Sequence, residues 1–359
     1  MQQDDFTCQS LGPFPETGVV AWQSPSNIAL VKYWGKKPVQ LPANASISFT
    51  LNNCYTATKL SFEKSDKRSV RVFVDGEEKP SFLKKIETFF ARIESYCPYV
   101  KNYAFKIETE NTFPHSSGIA SSASGFSALA LCVLSIERKA SDMSEDTFYK
   151  KASFLSRLGS GSACRSVYGP MAVWGGHEDY KGSSNDFAIS YDDVHDVFKS
   201  YQDTILLVDK GEKKVSSTLG HDLMNDHPFA ENRFAQAKDH MLELQKILKD
   251  GNILDFNLLV EKEALTLHAM MMTSDPYFML FKPNTLSIIH KVWEKRESDK
   301  IPFTITLDAG ANVHLLYPAE FKQLALQFIQ DELIAYCQNE QYICDEVGNG
   351  PLLKIEHYA

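Results

Sequence analysis

Positive charge is in short supply in this chain. Its 359 residues carry 37 Lys and Arg against 46 Asp and Glu, a net charge of −9. A protein that lives on a nucleic-acid backbone has the opposite balance, so DNA and RNA are excluded as main partners. A small basic pocket for an anionic metabolite remains compatible with the sum. No CxxC pair occurs among the seven cysteines and no HExxH among the ten histidines. A disulfide framework, a zinc ribbon and a zincin site are therefore not indicated, and the thiols read as reduced, mostly buried and cytosolic. The first twenty residues hold three acids and no base, so they lack the form of a signal peptide. Neither a Walker loop nor a GxGxxG fingerprint occurs, and there is no internal repeat or low-complexity linker.

Residues 111–136 contain no Asp, Glu, Lys or Arg, but they include Pro114, two glycines and seven serines. That composition is costly in lipid; the apolar part, Ala128–Ile136, fits a buried helix. Composition is otherwise that of a globular protein, with 43% apolar and 23% charged residues. The length fits one large unit or two lobes around a cleft.

Periodicity predicts strands at Ser46–Leu51, Val70–Val74, Tyr103–Ile107, Thr204–Val208, Phe303–Leu307 and Val313–Tyr317. Ile47, Phe49 and Leu51 are expected on one face. Helices are predicted at Phe82–Tyr96, Phe229–Lys249, Ile253–Met272, Asn284–Glu297 and Phe321–Leu333. Strands and helices do not alternate strictly, so the fold class is α+β rather than doubly wound. A soft boundary falls near 195–203.

Five segments carry chemistry. In Pro114–Gly125, nine of the eleven residues from His115 onward are Ser, Gly or Ala. Small side chains admit a ligand close to the backbone, and a helix starting near Ser122 would aim free N–H groups at an anion. A small-residue packing interface is the competing reading. Ser26–Lys37 delivers Lys32 beside Tyr33 and Trp34, followed by Lys36; alone it reads as a lysine cluster after a strand. Gly159–Ser166 is a second Gly/Ser loop that runs into Arg165, whose fork suits a carboxylate or phosphate. Cys164 has no local His and reads as a packed thiol. Lys213–Thr218 is a lid-side loop or a solvated turn. Thr306–Asn312 places Asp308 at a strand end, as a turn former or as a base for a hydroxyl. Together, two anion loops, cations, one carboxylate and no metal cage suit phosphoryl transfer, in which positioning and charge neutralisation dominate.

These segments, in this order, resemble the GHMP kinase superfamily and, within it, the diphosphomevalonate decarboxylase family. The blocks NIALVKYWGK, LPANASIS, residues 111–126, GSGSACRS, VSST and TLDAG lie within about residues 20–317. The resemblance implies a two-lobed fold with a deep cleft. A ribosomal protein S5 domain 2-like lobe would cover 1–200 and a ferredoxin-like lobe 201–359. It implies a cytoplasmic homodimer of isoprenoid biosynthesis, bound neither to membrane nor to nucleic acid. The implied reaction consumes ATP, with Mg2+, and turns (R)-5-diphosphomevalonate into isopentenyl diphosphate, ADP, phosphate and CO2. Asp308, Lys32 and Arg165 would be catalytic. Tyr33, Lys36, Ser160, Ser162 and Arg165 would hold the substrate. Ser116, Ser117, Gly118, Ala120, Ser121, Ser122 and Ser217 would meet ATP, with Ser122 a further contact for Mg2+. A superfamily kinase or monophosphate-using decarboxylase, and a non-catalytic metabolite-binding homologue, are the alternatives.

Overall fold

A computed structural model describes residues 3–8, 12–114, 119–211 and 217–359, with residues 3, 4, 217 and 218 described by backbone alone. Among these residues the largest sheet has eight strands. Its order runs Leu352–Tyr358, Thr17–Val31, Ser46–Lys64, Tyr103–Asn111, Ser69–Val74, Glu77–Glu78. Met171–Trp174 pairs with the first part of Ser46–Lys64, and Ala188–Ser190 pairs with Met171–Trp174. The pairing is antiparallel except between Ser69–Val74 and Tyr103–Asn111. A second, four-stranded antiparallel sheet runs Thr304–Thr306, Val313–Tyr317, Gln202–Leu206, Tyr342–Glu346. Helices are interspersed without strict alternation, which is the α+β arrangement expected.

The uncharged stretch forms the helix Ser121–Lys139, in which every residue from Ser127 to Glu137 is buried. A helix apolar on all sides belongs inside a protein or a membrane. Here it is covered by protein: Leu129, Leu131 and Val133 share a core with Leu60, Phe90 and Phe105. Each large side chain fully buried in this way contributes about 1.5–3 kcal/mol. Among the described residues no helix is long and apolar enough to cross a membrane. Two neighbours are closed by their own chemistry. Ser144 accepts from the Thr147 N–H at the start of Glu145–Gly159, and Gly251, at φ 73°, ends Ala230–Asp250 in the left-handed region.

Ser46–Leu51 differs from the single-faced reading, because all six residues are buried. Ile47, Phe49 and Leu51 pack with Met241, Leu244 and Phe256 from the helices Ala230–Asp250 and Ile253–Met272. Ser46 and Ser48 lie on the other face and are bound by Arg165. Smaller shifts concern boundaries. The helix expected at 82–96 is Pro80–Ile93, with proline at its first turn. The late helix is α-helical over Lys322–Phe328 and widens to a π turn at Ile329–Leu333. The last described strand, Leu352–Tyr358, does not join the second sheet; it pairs with Thr17–Val31 of the first.

Candidate active site

The strand Thr17–Val31 ends where the apolar run gives way to Lys32. The strand Thr304–Thr306 ends two residues before Asp308. The fold brings these two ends together: Lys32 Nζ lies 3.0 Å from Asp308 Oδ1. The lysine side chain is 1% exposed and that of the aspartate 24%. Both face a cavity of about 600 Å³, a size suited to a small-molecule ligand. Burial pushes the Lys32 ammonium below its usual pKa, against the opposing pull of Asp308. For Asp308 burial works upward, but Lys32, His314 and Arg165 outweigh it and hold the carboxyl below its ordinary value. The result is an ionised carboxylate beside a cation, open to the cavity on one side.

Arg165 is 3% exposed and also reaches the cavity wall. Its Nε donates to Ser48 Oγ at 3.1 Å and Asn27 Oδ1 at 3.2 Å, and Nη1 to Ser46 Oγ at 2.6 Å. Nη2 has no hydrogen bond among the described residues. Its hydrogen-bond partners are neutral hydroxyls and an amide, so among the described residues no carboxylate occupies the fork and Nη2 is left for an anion. Arg165 sits in the short 3-10 helix Gly161–Val167, not in the open loop expected. Gly161 is required there, because a Cβ would lie 2.9 Å from both the Tyr33 hydroxyl and the Trp174 ring. Cys164 is fully buried and its thiol is pushed up to about 12 by burial, as a packed thiol should be.

Tyr33, Lys36, Ser160, Ser162, Ala120 and Ser122 all line the same cavity. Lys36 is 3.7 Å from Asp222. The two small-residue segments meet where Ser122 Oγ and Ser160 Oγ stand 3.2 Å apart. The helix behind Ser122 begins at Ser121, with Ala120 in the left-handed region and no side-chain cap. Its first N–H groups are left for an anion, which is the fit phosphate oxygens require. Ser121 opens the helix without lining the cavity. Ser116, Ser117 and Gly118 lie outside the described residues, as does Lys213–Ser216; Ser217 begins the helix Ser217–Asp222, described there by backbone alone. No group of three His, Cys, Asp or Glu side chains suited to a metal occurs among the described residues. A divalent ion here would rely mainly on phosphate oxygens, in the manner of Mg2+, with Ser122 the available hydroxyl.

Sequence reading missed the groups that anchor this pair. Glu263, fully buried, accepts from the Lys32 N–H at 2.8 Å, from Arg233 at 2.6 and 2.9 Å, and contacts His240 Nδ1 at 2.5 Å. Arg233 and Asn44 both donate to the Lys32 carbonyl, at 3.2 and 3.0 Å. The helix that supplies Glu263, Ile253–Met272, also supplies His268, whose Nε2 lies 3.2 Å from the Asp308 carbonyl oxygen. One helix thus fixes the backbones of both members of the ion pair. The signal in the sequence is a carboxylate placed inside an apolar helical run. His221 also reaches the cavity and was not anticipated.

Comparison with known proteins agrees with this geometry. Residues 24–186 match the diphosphomevalonate decarboxylase-like N-terminal domain, and 204–353 the mevalonate 5-diphosphate decarboxylase C-terminal domain. The diphosphomevalonate decarboxylase of Debaryomyces hansenii is 30% identical over 331 residues, covering 85% of this chain and 81% of that protein. The mevalonate diphosphate decarboxylase structure from Staphylococcus aureus superposes with a TM-score of 0.82 at 28% identity, covering 94% of this chain and 98% of the other. A structure of MDDEF in complex with MVAPP, AMPPCP and magnesium gives a TM-score of 0.81 at 27% identity, covering 94% and 99%. Sequence, fold and the placement of Lys32, Arg165 and Asp308 around one cavity converge: the chain belongs to the diphosphomevalonate decarboxylase family, with the GHMP kinase fold.

Proposed function

We propose that this protein catalyses the ATP-dependent decarboxylation of (R)-5-diphosphomevalonate to isopentenyl diphosphate, with ADP, phosphate and CO2 as the other products. The observation that carries the reading is the ionised Asp308 held 3.0 Å from Lys32 at a cavity that Arg165 also faces. A tertiary hydroxyl is a poor leaving group and its phosphate a good one. Asp308 orients the 3-hydroxyl and accepts its proton as the oxygen bonds to the γ-phosphorus and ADP departs. The C3–O bond then breaks, phosphate leaves, and the bond to the carboxylate supplies the electron pair of the new double bond as CO2 is lost. Lys32 sits near the 3-hydroxyl and the substrate carboxylate and keeps Asp308 ionised. Arg165 grips the substrate carboxylate through Nη2, aligning it for departure rather than protonating it.

Tyr33, Lys36, Ser160 and Ser162 hold the diphosphate end. The family reading assigns Ser116–Ser122 to the ATP phosphates, with Ser122 the one serine of them that borders the cavity among the described residues, and Ser217 to the ATP or substrate phosphates. Mg2+, when bound, neutralises charge on the transferred phosphoryl group. The family reading also carries a cytoplasmic homodimer, with lobes 1–200 and 201–359 and the terminal strand returned to the first. The seven free cysteines are in keeping with a reducing compartment.

The test is product identification with ATP, magnesium and purified diphosphomevalonate. ADP, CO2 and an alkenyl diphosphate should appear together, and Asp308→Ala should abolish all three while its circular dichroism spectrum is retained. ADP without CO2 would leave a kinase and overturn the decarboxylase; undiminished turnover by Asp308→Ala would overturn the catalytic assignment.

A further inference from the structure

His221 is the one imidazole in the cavity wall among the described residues. Its ring lies 4.3 Å from the Tyr33 ring and 4.6 Å from the Trp34 ring, centre to centre. It is 9% exposed. The Gly35 N–H donates to its Nδ1 at 3.0 Å. A backbone N–H can only donate, so Nδ1 is an acceptor and the ring proton of the neutral form sits on Nε2. Burial, with Lys36 and Arg165 nearby, pushes the imidazole down to about 3, so the neutral form holds at physiological pH. Nε2–H has no hydrogen-bond partner among the described residues. His221 borders the cavity, so this donor is free to meet a ligand oxygen there.

The position selects the ligand. His221 packs against the Tyr33 ring at a tilt of 34°, and Gly35 joins it to the segment that carries Lys36. Gly35 has φ 94°, and a Cβ there would come within 3.0 Å of Ala43 and Phe234, so this segment has little room to shift. Tyr33 and Lys36 form the diphosphate end of the cavity in the reading above, on which this inference rests. Lys36 supplies charge without direction, whereas an imidazole N–H held from behind supplies direction without charge.

We propose that His221 is a substrate-binding residue whose Nε2–H donates to a diphosphate oxygen of the bound substrate. It adds selectivity for a diphosphate over a shorter acid group, because an oxygen must reach its fixed donor. ATP, held at the Ser122 side, does not use it.

Two substitutions separate the ring's two jobs. His221→Asn keeps an acceptor for Gly35 where Nδ1 stood and removes the donor at Nε2 reach. His221→Gln places an amide N–H near the Nε2 position. His221→Asn should raise the KM for diphosphomevalonate about ten- to a hundredfold, the loss of one hydrogen bond to a charged group. The KM for ATP and the melting temperature should stay at wild-type values, and His221→Gln should recover most of the loss. An unchanged KM for diphosphomevalonate in His221→Asn, or a change confined to ATP, overturns the proposal. Should that variant fold poorly, the wild-type protein with 15N-labelled histidine decides. Adding diphosphomevalonate must move the His221 Nε2–H resonance downfield, and a resonance that stays still overturns the proposal. Wild-type enzyme that binds diphosphomevalonate without releasing CO2 refutes the functional reading instead, while the resonance still reports the contact.

Discussion

Replacing Glu263 by glutamine tests the internal scaffold of the site with almost no change of shape. The carboxylate and Arg233 are both fully buried, 2.6 Å apart. Burial alone would raise the Glu263 pKa, but Arg233 and His240 outweigh it and hold the group below its ordinary value of 4.5. Glutamine keeps one acceptor oxygen where Glu263 uses both of its own. Its amide nitrogen then faces a donor, and Arg233 is left in the interior without a counter-charge. Breaking a buried pair from one side costs about 3–5 kcal/mol, because the surviving charge has no solvent. The separate hydrogen bonds are parts of that figure and are not added to it. Urea denaturation of Glu263→Gln should show an unfolding free energy lowered by that amount, seen as a lower midpoint with an unchanged slope.

The pH dependence has a definite sign. A carboxyl whose folded pKa lies below its unfolded one stabilises the protein above the unfolded value and loses that contribution as pH falls through the folded one. Wild type should therefore lose stability on acidification below pH 4.5 more steeply than the variant, since glutamine does not titrate. Turnover carries the second readout. Glu263 also receives the Lys32 N–H, so in urea-free buffer kcat should fall more than KM rises. A loss of stability under about 1 kcal/mol, with the acid limb unaltered, would refute the account of Glu263 as the anchor of Lys32.

Two further outcomes follow from the site. Arg165→Lys keeps the charge but loses the fork that spans Ser46 and Ser48, and kcat/KM should fall roughly a hundredfold, about 2.7 kcal/mol, in steady-state assays. Iodoacetamide at pH 7.5 should alkylate the exposed Cys344 and leave Cys164 untouched, because burial keeps the Cys164 thiol protonated; mass spectrometry of tryptic peptides reads the result.

The parts of this site that could be read from the chain are those in which a charged residue stands beside small ones. Lys32 follows an apolar run, Arg165 follows a Gly/Ser segment, and Asp308 precedes Ala-Gly; alone, the first reads as a lysine after a strand and the last as a turn former, and it is the set in this order that points to a site. Glu263 and Arg233 had no such marker, because their partner is distant in sequence and any helix tolerates a carboxylate drawn on paper. Only the assembled fold shows that the Glu263 carboxylate has no route to water. The inward seating of Ser46 and Ser48 was hidden for a related reason. Alternation of serine with Ile47 and Phe49 is the signature of a half-wet strand, and here the polar face is dry because Arg165 occupies it. His221 was obscured by its neighbours, since a histidine beside a glycine and an aspartate looks like a surface turn.

The pairing of Leu352–Tyr358 with Thr17–Val31 sets an order of events during synthesis. Gly18 pairs with Tyr358, and the backbone groups of Thr17 bond to those of Ala359. The strand that runs up to Lys32 leaves the ribosome well before its outer partner, Leu352–Tyr358. Until residues 352–358 emerge, that strand can be covered on one side only, by Ser46–Lys64. Its other edge, a row of unpaired amides and carbonyls, is exposed to every neighbouring nascent chain. A chain that stops short of residue 352 would keep its whole cavity wall and yet carry a permanently open sheet edge. For this fold the strand Leu352–Tyr358 is a seal, and before it closes the open edge is a site of aggregation.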